Sequence, residues 1–413
     1  MTSAPSSAQG ADVLDPRSAR RLPPLTPEAA ALLPADHDAP RCAAHAAAIG
    51  ADPGGTAICA NAVALVETPL PWAKPVFTSG LLEGLAPMME LHVGATRVLA
   101  VVPPDRHSES RRKRDEISVT LHWRSGAGTS SVRYIACGPE GLRGLFGHLA
   151  HRMPTDSGPD SGGFTAVGCA ENESAVLICT QGSHDVCCGS EGARLAADLE
   201  SLLRTRSKAP RSASGGSLSD APLADHQPTD PHQPPREAPA ETDGRVAVYR
   251  VSHTGGHRFA PTAMTLPDGR MWAGIDAHEL AAIVNRSAVA ADLAPRCRGW
   301  WGASTGPAQV GERAVFAQVG WPLEAMAREV RSRCADDGWK VDVIVSCAGR
   351  AWTVTVREGR TVPTIACRAA GGVPAKPATE FVVTDIVTTD LSPSDPADLI
   401  VPTLRSSADD ITA

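Results

Sequence analysis

No apolar run in the chain reaches the roughly 18 residues that a membrane span needs. Nor does a basic start followed by a short apolar stretch mark an export signal, so no membrane partner is expected. The charge balance lacks a basic excess. A formal net charge of -7 offers no electrostatic argument for nucleic acid, and the one dense basic run, Arg111 to Arg114, reads as a solvated loop. A disulfide pattern is also missing, because the eleven cysteines are odd in number and irregular in spacing. That argues for a reduced, cytoplasmic setting, where cysteine clusters serve metal or redox chemistry. Paired carboxylates in a glycosidase setting, a phosphate loop and a repeat of solenoid period are all absent as well.

What is present is 42% apolar and long enough to bury sizeable cores without covalent help. Residues 1–40, rich in Ala, Pro, Ser and Asp, read as a disordered leader. Two blocks then repeat one succession of elements. In the first, 41–153, the expected order is a strand over 57–67, a helix capped by Ser79 and shortened at Pro87, and a strand over 97–102. A strand pair over 117–123 and 131–137 and a helix over 140–151 close the block. In the second, 164–290, the order is a strand over 175–179, a helix over 189–204 and a strand over 246–251. A hairpin over 262–266 and 270–274 and a helix over 277–284 follow. The thioredoxin-like fold has this succession. The expected fold class is therefore α/β, with tandem thioredoxin-like domains of which the first is free of any cluster.

Within the second block, residues 206–243 are dominated by Ser, Pro, Asp, Ala and His. They cannot bury enough apolar surface to offset their ordering entropy and read as a disordered insertion. A small α+β extension is expected over 291–390, with helices over 307–319 and 323–333 and strands over 340–346, 351–357 and 381–387. Residues 391–413 complete the chain as a flexible tail.

The chemistry concentrates at two loops. Cys179 and Cys188 stand nine positions apart on a loop leaving an apolar run, and His253 and His257 stand four apart on a second such loop. Gly255 and Gly256 remove side chains between the imidazoles and permit the backbone angles of a tight loop. Four soft or borderline ligands in two pairs suit the two irons of a [2Fe–2S] cluster, whose inorganic sulfides complete each tetrahedron. The same set suits a structural Cys2His2 zinc site, which would make the protein an interaction module. The eight-residue gap between the cysteines is wider than the usual two to four of zinc ribbons. A third reading is thiol redox through Cys187–Cys188 or Cys179–Cys188 in a thioredoxin-like frame, although no Cys-x-x-Cys stands at a helix start. Cys187 then reads as a spare thiol beside the site. Cys42, three before His45, lacks a partner pair and reads as structural. Cys59, Cys137, Cys169, Cys297, Cys334, Cys347 and Cys367 read as core or loop residues, His184 as a turn residue and Arg258 as a surface arginine.

Cys179-x8-Cys188 with its vicinal Cys187, the stretch SHTGGHRFAPTAMTLPDG from Ser252 and RGWWGASTGPAQVGE from Arg298 resemble the sucrase/ferredoxin-like family. The resemblance runs from about Cys42 to about Pro307. It implies a thioredoxin-like ferredoxin whose [2Fe–2S] cluster is held by Cys179, Cys188, His253 and His257. It also implies one-electron transfer between unidentified donor and acceptor proteins. Two features depart from the family: Val251 precedes Ser252 where relatives often carry cysteine, and the 206–243 excursion is long. The word "sucrase" gives no warrant for sugar chemistry. Imidazole ligation implies an intermediate to high potential, since Rieske centres span about −150 to +300 mV against about −400 mV for plant-type ferredoxins. The first domain, lacking the ligands, would cover the cluster domain or dock a partner.

Overall fold

Strand β1 (Ala62–Glu67) has five buried residues in succession, the pattern of a strand covered on both faces. Ala62, Ala64 and Val66 belong to one core, while Val63 and Leu65 belong to the other. That period-2 split makes β1 a wall between two apolar layers. Beside it lie β2 (Thr96–Val102), parallel, and β3 (Glu116–Ser125), antiparallel. β3 pairs with β4 (Gly128–Cys137), β4 with β5 (Phe164–Glu171), and the first core closes beneath the helix Gly138–His151.

The computed structural model describes residues 24–34, 41–74, 76–85, 96–102, 115–125, 128–151, 164–171, 174–182, 186–208, 246–367 and 376–391. After β6 (Ala175–Cys179) the same connectivity returns. β6 runs parallel to β7 (Ala247–Val251) and antiparallel to β8 (Thr262–Leu266). β8 pairs with β9 (Arg270–Ala273), and a helix over Ala277–Val284 follows. Asp276 caps that helix, accepting from the N–H groups of His278 and Glu279 while the Glu279 carboxylate accepts from the Asp276 N–H. A helix over Ala193–Lys208 packs Leu195, Ala196 and Leu199 into the second core.

The two units do not stand apart. β2 and β7 pair antiparallel through Val101–Val251 and Val102–Arg250, giving one ten-stranded mixed sheet in the order β10-β9-β8-β6-β7-β2-β1-β3-β4-β5. Strand β10 (Cys297–Trp300) lies beyond the boundary expected at residue 290 and still joins this sheet at its edge. The unit that is separate is an antiparallel four-stranded sheet of β11 (Glu329–Ala335), β12 (Gly338–Val345), β13 (Arg350–Thr364) and β14 (Lys376–Asp390). The helix Gly306–Val319 lies between the sheets. Phe316 meets Trp272 edge-on on one side, and a Cβ on Gly311 would come within 2.7 Å of Val341 on the other.

Two helices expected from sequence are corrected. The one expected over 323–333 is a 3-10 stretch, Trp321–Ala325, followed by β11, because Asp336 and Asp337 form a two-residue hairpin that pairs Ala335 with Gly338. Ladder pairing with a long neighbour outweighs the helix propensity of the Arg and Glu residues there. From Ser79 the described residues form only one 3-10 turn, Gly80–Leu82, with positive φ at its first residue, Gly80, and again at Gly84 beyond it. In the region read as a leader, Pro27–Ala30 is a short helix capped by Thr26, with Ala29 buried. Pro87, His184, nearly all of the 206–243 insertion and nearly all of the C-terminal tail lie outside the described residues.

Four buried charges lock the second core to the C-terminal region. Arg270 donates to both carboxylate oxygens of Glu312 at 2.8 and 2.9 Å and, through Nε, to Glu324 at 2.8 Å. Arg328 reaches Glu324 and Glu312 at 3.0 Å each. All four side chains are at most 2% exposed.

Candidate metal centre

The site is assembled at one end of two neighbouring parallel strands. Cys179 ends β6 opposite Val251, the end of β7, so both loops leave the sheet at the same edge. Ser252 secures the second loop: its N–H donates to Ala100 O at 2.9 Å, and its hydroxyl accepts from Ala100 N–H at 3.2 Å. Gly255 and Gly256 both adopt left-handed φ, +68° and +63°, a region that favours glycine. The turn they make brings His257 back toward His253. Cys179, Cys188, His253 and His257 line a single cavity of about 320 Å³, together with Val76 and Phe77 from the first unit. Gln181 ties that covering segment down by donating to Ala73 O at 2.7 Å.

The first loop enters its helix at Val186–Cys187, and Cys188–Gly192 forms a π-helical turn ahead of Ala193–Lys208. Successive residues on a helix point about 100° apart. Adjacent cysteines therefore face different places: Cys188 lines the cavity, while Cys187 meets Cys367 beside it. Gly192 packs directly on the end of β6, where an added Cβ would lie 1.9 Å from the Cys179 carbonyl oxygen. Gly192→Ala is accordingly expected to displace the helix start from β6 and destabilise the protein by at least the roughly 1–3 kcal/mol of an overpacked core site. Urea unfolding checks this, and a wild-type midpoint would refute it.

Cys179 is a thiol prepared to ionise. A hydrogen bond from Cys188, with burial opposing it, donation from the N–H groups of Gln181 and Thr254 and the charge of Arg298 together bring its pKa down to about 7. Alkylation of Cys179 in metal-free protein should therefore rise with pH through a midpoint near 7, which mass spectrometry of the modified peptide would read.

Arg298 is the charged residue that sequence reasoning passed over. It is fully buried, donates to Thr254 O at 2.9 Å and to Thr56 Oγ1 at 3.1 Å, and reaches Thr56 O. A Cβ on Gly256 would fall 2.6 Å from its guanidinium carbon, so the His-Thr-Gly-Gly-His turn rests on this side chain. Among the described residues no carboxylate pairs with it. Burial, and then Arg258, lower its pKa to about 10, while Cys179 and Cys188 act in the opposite sense. The signal in sequence was the RGWWG stretch, legible as a motif but silent on where its arginine points.

The histidines are half-buried and held from outside the cavity. His253 Nδ1 lies 3.0 Å from Ser252 Oγ, and His257 Nδ1 lies 3.6 Å from Cys42 Sγ. Cys42, read from sequence as lacking partners, opens the helix Cys42–Ala48 and belongs to a second group of sulfurs. Cys187 Sγ and Cys367 Sγ are 3.0 Å apart, Cys367 Sγ and Cys42 Sγ 3.4 Å, and all three atoms lie within 4.8 Å of one another. Such a set can hold a metal ion. Sequence could not assemble it, because its members are separated by 145 and 180 positions. Arg258, read as a surface residue, is partly buried with its guanidinium 4.4 Å over the Phe259 ring.

The sequence pattern of the sucrase/ferredoxin-like family matches residues 56–299, more than half of the chain, and the protein belongs to that family. No curated protein and no solved structure matches the chain significantly. The matched span contains Cys179, Cys188, His253, His257 and Arg298. Cys42 and Cys367 fall outside it. Among the described residues no helix is long and apolar enough to cross a membrane.

Proposed function

We propose that the protein is a one-electron carrier whose [2Fe–2S] cluster is held in the cavity by Cys179, Cys188, His253 and His257. The observation that carries this reading is the convergence of two thiols and two imidazoles, from loops more than sixty residues apart in sequence, on one cavity of about 320 Å³. The donor chemistry fits: thiolate and imidazole are the protein ligands of such clusters, and one thiol already titrates near neutrality. When bound, the cluster supplies reversible one-electron oxidation and reduction.

The chain's own residues do the rest. Cys179 presents a thiolate supported by two backbone N–H groups and the Arg298 charge. Ligation through Nε2 of His253 and His257 keeps the contacts of both Nδ1 atoms, to Ser252 Oγ and Cys42 Sγ. Those Nδ1 atoms are where a proton is held or released as the local charge changes. Val76 and Phe77 restrict water on the side of the first unit. The repeated connectivity, one parallel pair extended by an antiparallel hairpin and closed by a helix, supports reading each half of the large sheet as thioredoxin-like. In this reading the partners are donor and acceptor redox proteins, and the compartment is a reducing one such as the cytoplasm.

The test is an anaerobic absorption spectrum of the full chain with iron, sulfide and zinc analysis, repeated on His257→Cys and Cys188→Ala. Two irons and two sulfides per chain are expected, with a charge-transfer band that shifts in the first variant and is lost in the second. A cavity filled by zinc instead, with no iron after anaerobic reconstitution, would replace this reading by that of a zinc-stabilised interaction module. The lowered Cys179 pKa beside Cys188 favours a second reading, thiol redox. That reading gains if neither metal binds and the two cysteines cycle between thiol and disulfide. For the carrier, reduction coupled to protonation at the histidines should make the potential fall as pH rises, by up to about 59 mV per unit for one electron. Voltammetry between pH 6 and 10 reads the slope.

A further inference from the structure

We propose that Cys42, Cys187 and Cys367 bind one thiophilic d10 cation, Zn²⁺, at a site that adjoins the histidine-lined cavity through the Cys42–His257 contact but uses none of its four donors, and that this ion fastens the C-terminal sheet to the family domain. Three sulfurs meet there from three distant parts of the chain: the first residue of the helix Cys42–Ala48, the first turn of the helix after β6, and the residue three beyond the end of β13. Cys42 and Cys187 are fully buried and Cys367 is partly exposed. Ala43, Ala260 and Ile365 surround them, an apolar shell that shields a metal–thiolate unit from water.

The geometry is nearer to a metal site than to a cross-link. A disulfide joins two sulfurs at about 2.05 Å and would leave the third beside it. Thiolates about 2.3 Å from tetrahedral zinc stand about 3.8 Å apart, a few tenths of an ångström to under 1 Å beyond the separations of 3.0 and 3.4 Å seen here. Backbone donors already face the sulfurs: the Cys42 N–H points to Cys367 Sγ at 3.4 Å, and the Ala43 N–H is bonded to Cys187. Such N–H···S bonds disperse thiolate charge, in opposition to the burial and the Cys367 thiol that push the Cys187 thiol up to about 12 and that a cation would have to overcome. Three thiolates and one zinc carry a net charge of −1, and the Arg258 guanidinium is close enough to Cys42 to feel its charge and offset it. Loading exchanges three S–H protons for three Zn–S bonds with no change of oxidation state, and water completes the fourth position at the exposed Cys367 side.

An ion here would add to the apolar packing and the polar contacts that already join these elements. Asp52 N–H donates to Glu380 Oε1 at 2.9 Å, Arg360 pairs with Glu380 at 2.7 Å and reaches Gly50 O, and Arg313 binds Asp52 at 2.7 Å. These contacts place β13 and β14 against the segment that follows the Cys42 helix. Zinc would anchor the same junction covalently.

The test uses the full chain purified with reductant, analysed for zinc and iron and titrated with Co²⁺. About one zinc per chain is expected that is lost in Cys367→Ser while iron and visible absorption remain as in wild type. Cobalt should give thiolate charge-transfer and intense tetrahedral d–d bands that the same variant abolishes. Chelator should lower the thermal midpoint of the wild type and leave that of Cys367→Ser unmoved. Zinc bound instead in the four-donor cavity would survive Cys367→Ser and be lost in His253→Ala, so failure of the cluster reading is told apart from failure of this one. No zinc or cobalt uptake, a zinc content unchanged in Cys367→Ser, or a Cys187–Cys367 disulfide in protein trapped with a thiol-blocking reagent would each overturn the proposal. Where the serine variant does not fold, cobalt titration of His253→Ala decides the matter: bands retained there support the three-sulfur site, and bands lost there place the ion in the four-donor cavity and overturn the proposal.

Discussion

Replacing Arg298 by Met is expected to raise the pKa of Cys179 in metal-free protein and, for the cluster proposed above, to lower the reduction potential by on the order of 50–100 mV, since about 59 mV corresponds to a tenfold change for one electron. The reasoning follows charge. Arg298 is fully buried, its hydrogen bonds run to neutral oxygens of Thr56 and Thr254, and among the described residues no carboxylate answers it. An isolated buried cation is costly, so the nearby sites able to carry negative charge, Cys179 and Cys188, are its natural counter-charge. Without the guanidinium, the thiolate loses one of the influences that hold its pKa near 7, and alkylation at neutral pH should slow. Reduction adds an electron, and removing a fixed positive charge makes that addition harder, hence the downward shift in potential. The Gly256 turn also loses the side chain on which it rests. Iron retention therefore has to be measured beside the potential. A fully loaded Arg298→Met protein with the wild-type potential and wild-type alkylation profile would show that this charge is irrelevant to the site.

The second large effect is structural. Glu312→Gln should cost about 3–5 kcal/mol, because it removes one of two carboxylates that neutralise two buried guanidiniums and leaves an uncompensated charge in the core. Coulombic attraction from Glu312 and Glu324 is what keeps Arg270 firmly protonated against the cost of burial. The network spans β9, the helix Gly306–Val319 and the turn before β11, so its loss should loosen the C-terminal sheet together with the edge of the large one. Denaturant unfolding reads the loss directly. The double replacement Arg270→Met with Glu312→Leu restores charge balance with Glu324 and Arg328, and should recover much of the stability that either single change removes.

Much of the fold was legible because period-2 and period-3.6 patterns are local properties of a chain. The strand over 175–179 and the helix over 277–284 have the bounds expected, since Ala-Val-Leu-Ile-Cys is an uninterrupted apolar run and Asp276 with Glu279 forms a capping box. β5 and β10 escaped notice because each gains its strand character from a neighbour's ladder. The Arg- and Glu-containing β11 was misread as helix for the same reason, as the hairpin at Asp336–Asp337 and pairing with β12 supply what propensity does not.

At the site, the two loops were legible through their spacing: nine positions between Cys179 and Cys188, and a Gly-Gly pair between His253 and His257. The chain alone determined which donors are present, which loops carry them, and the conformational freedom those loops need. Three things were decided only in the tertiary structure: the parallel pairing of β6 with β7 that puts both loops at one sheet edge, the buried Arg298 under the glycine turn, and the gathering of Cys42, Cys187 and Cys367. The physical reason is the same in each case. Residue type and short spacing are written along the chain, whereas burial, charge neighbours and contacts across hundreds of residues arise only when sheet pairing and core packing bring distant segments together.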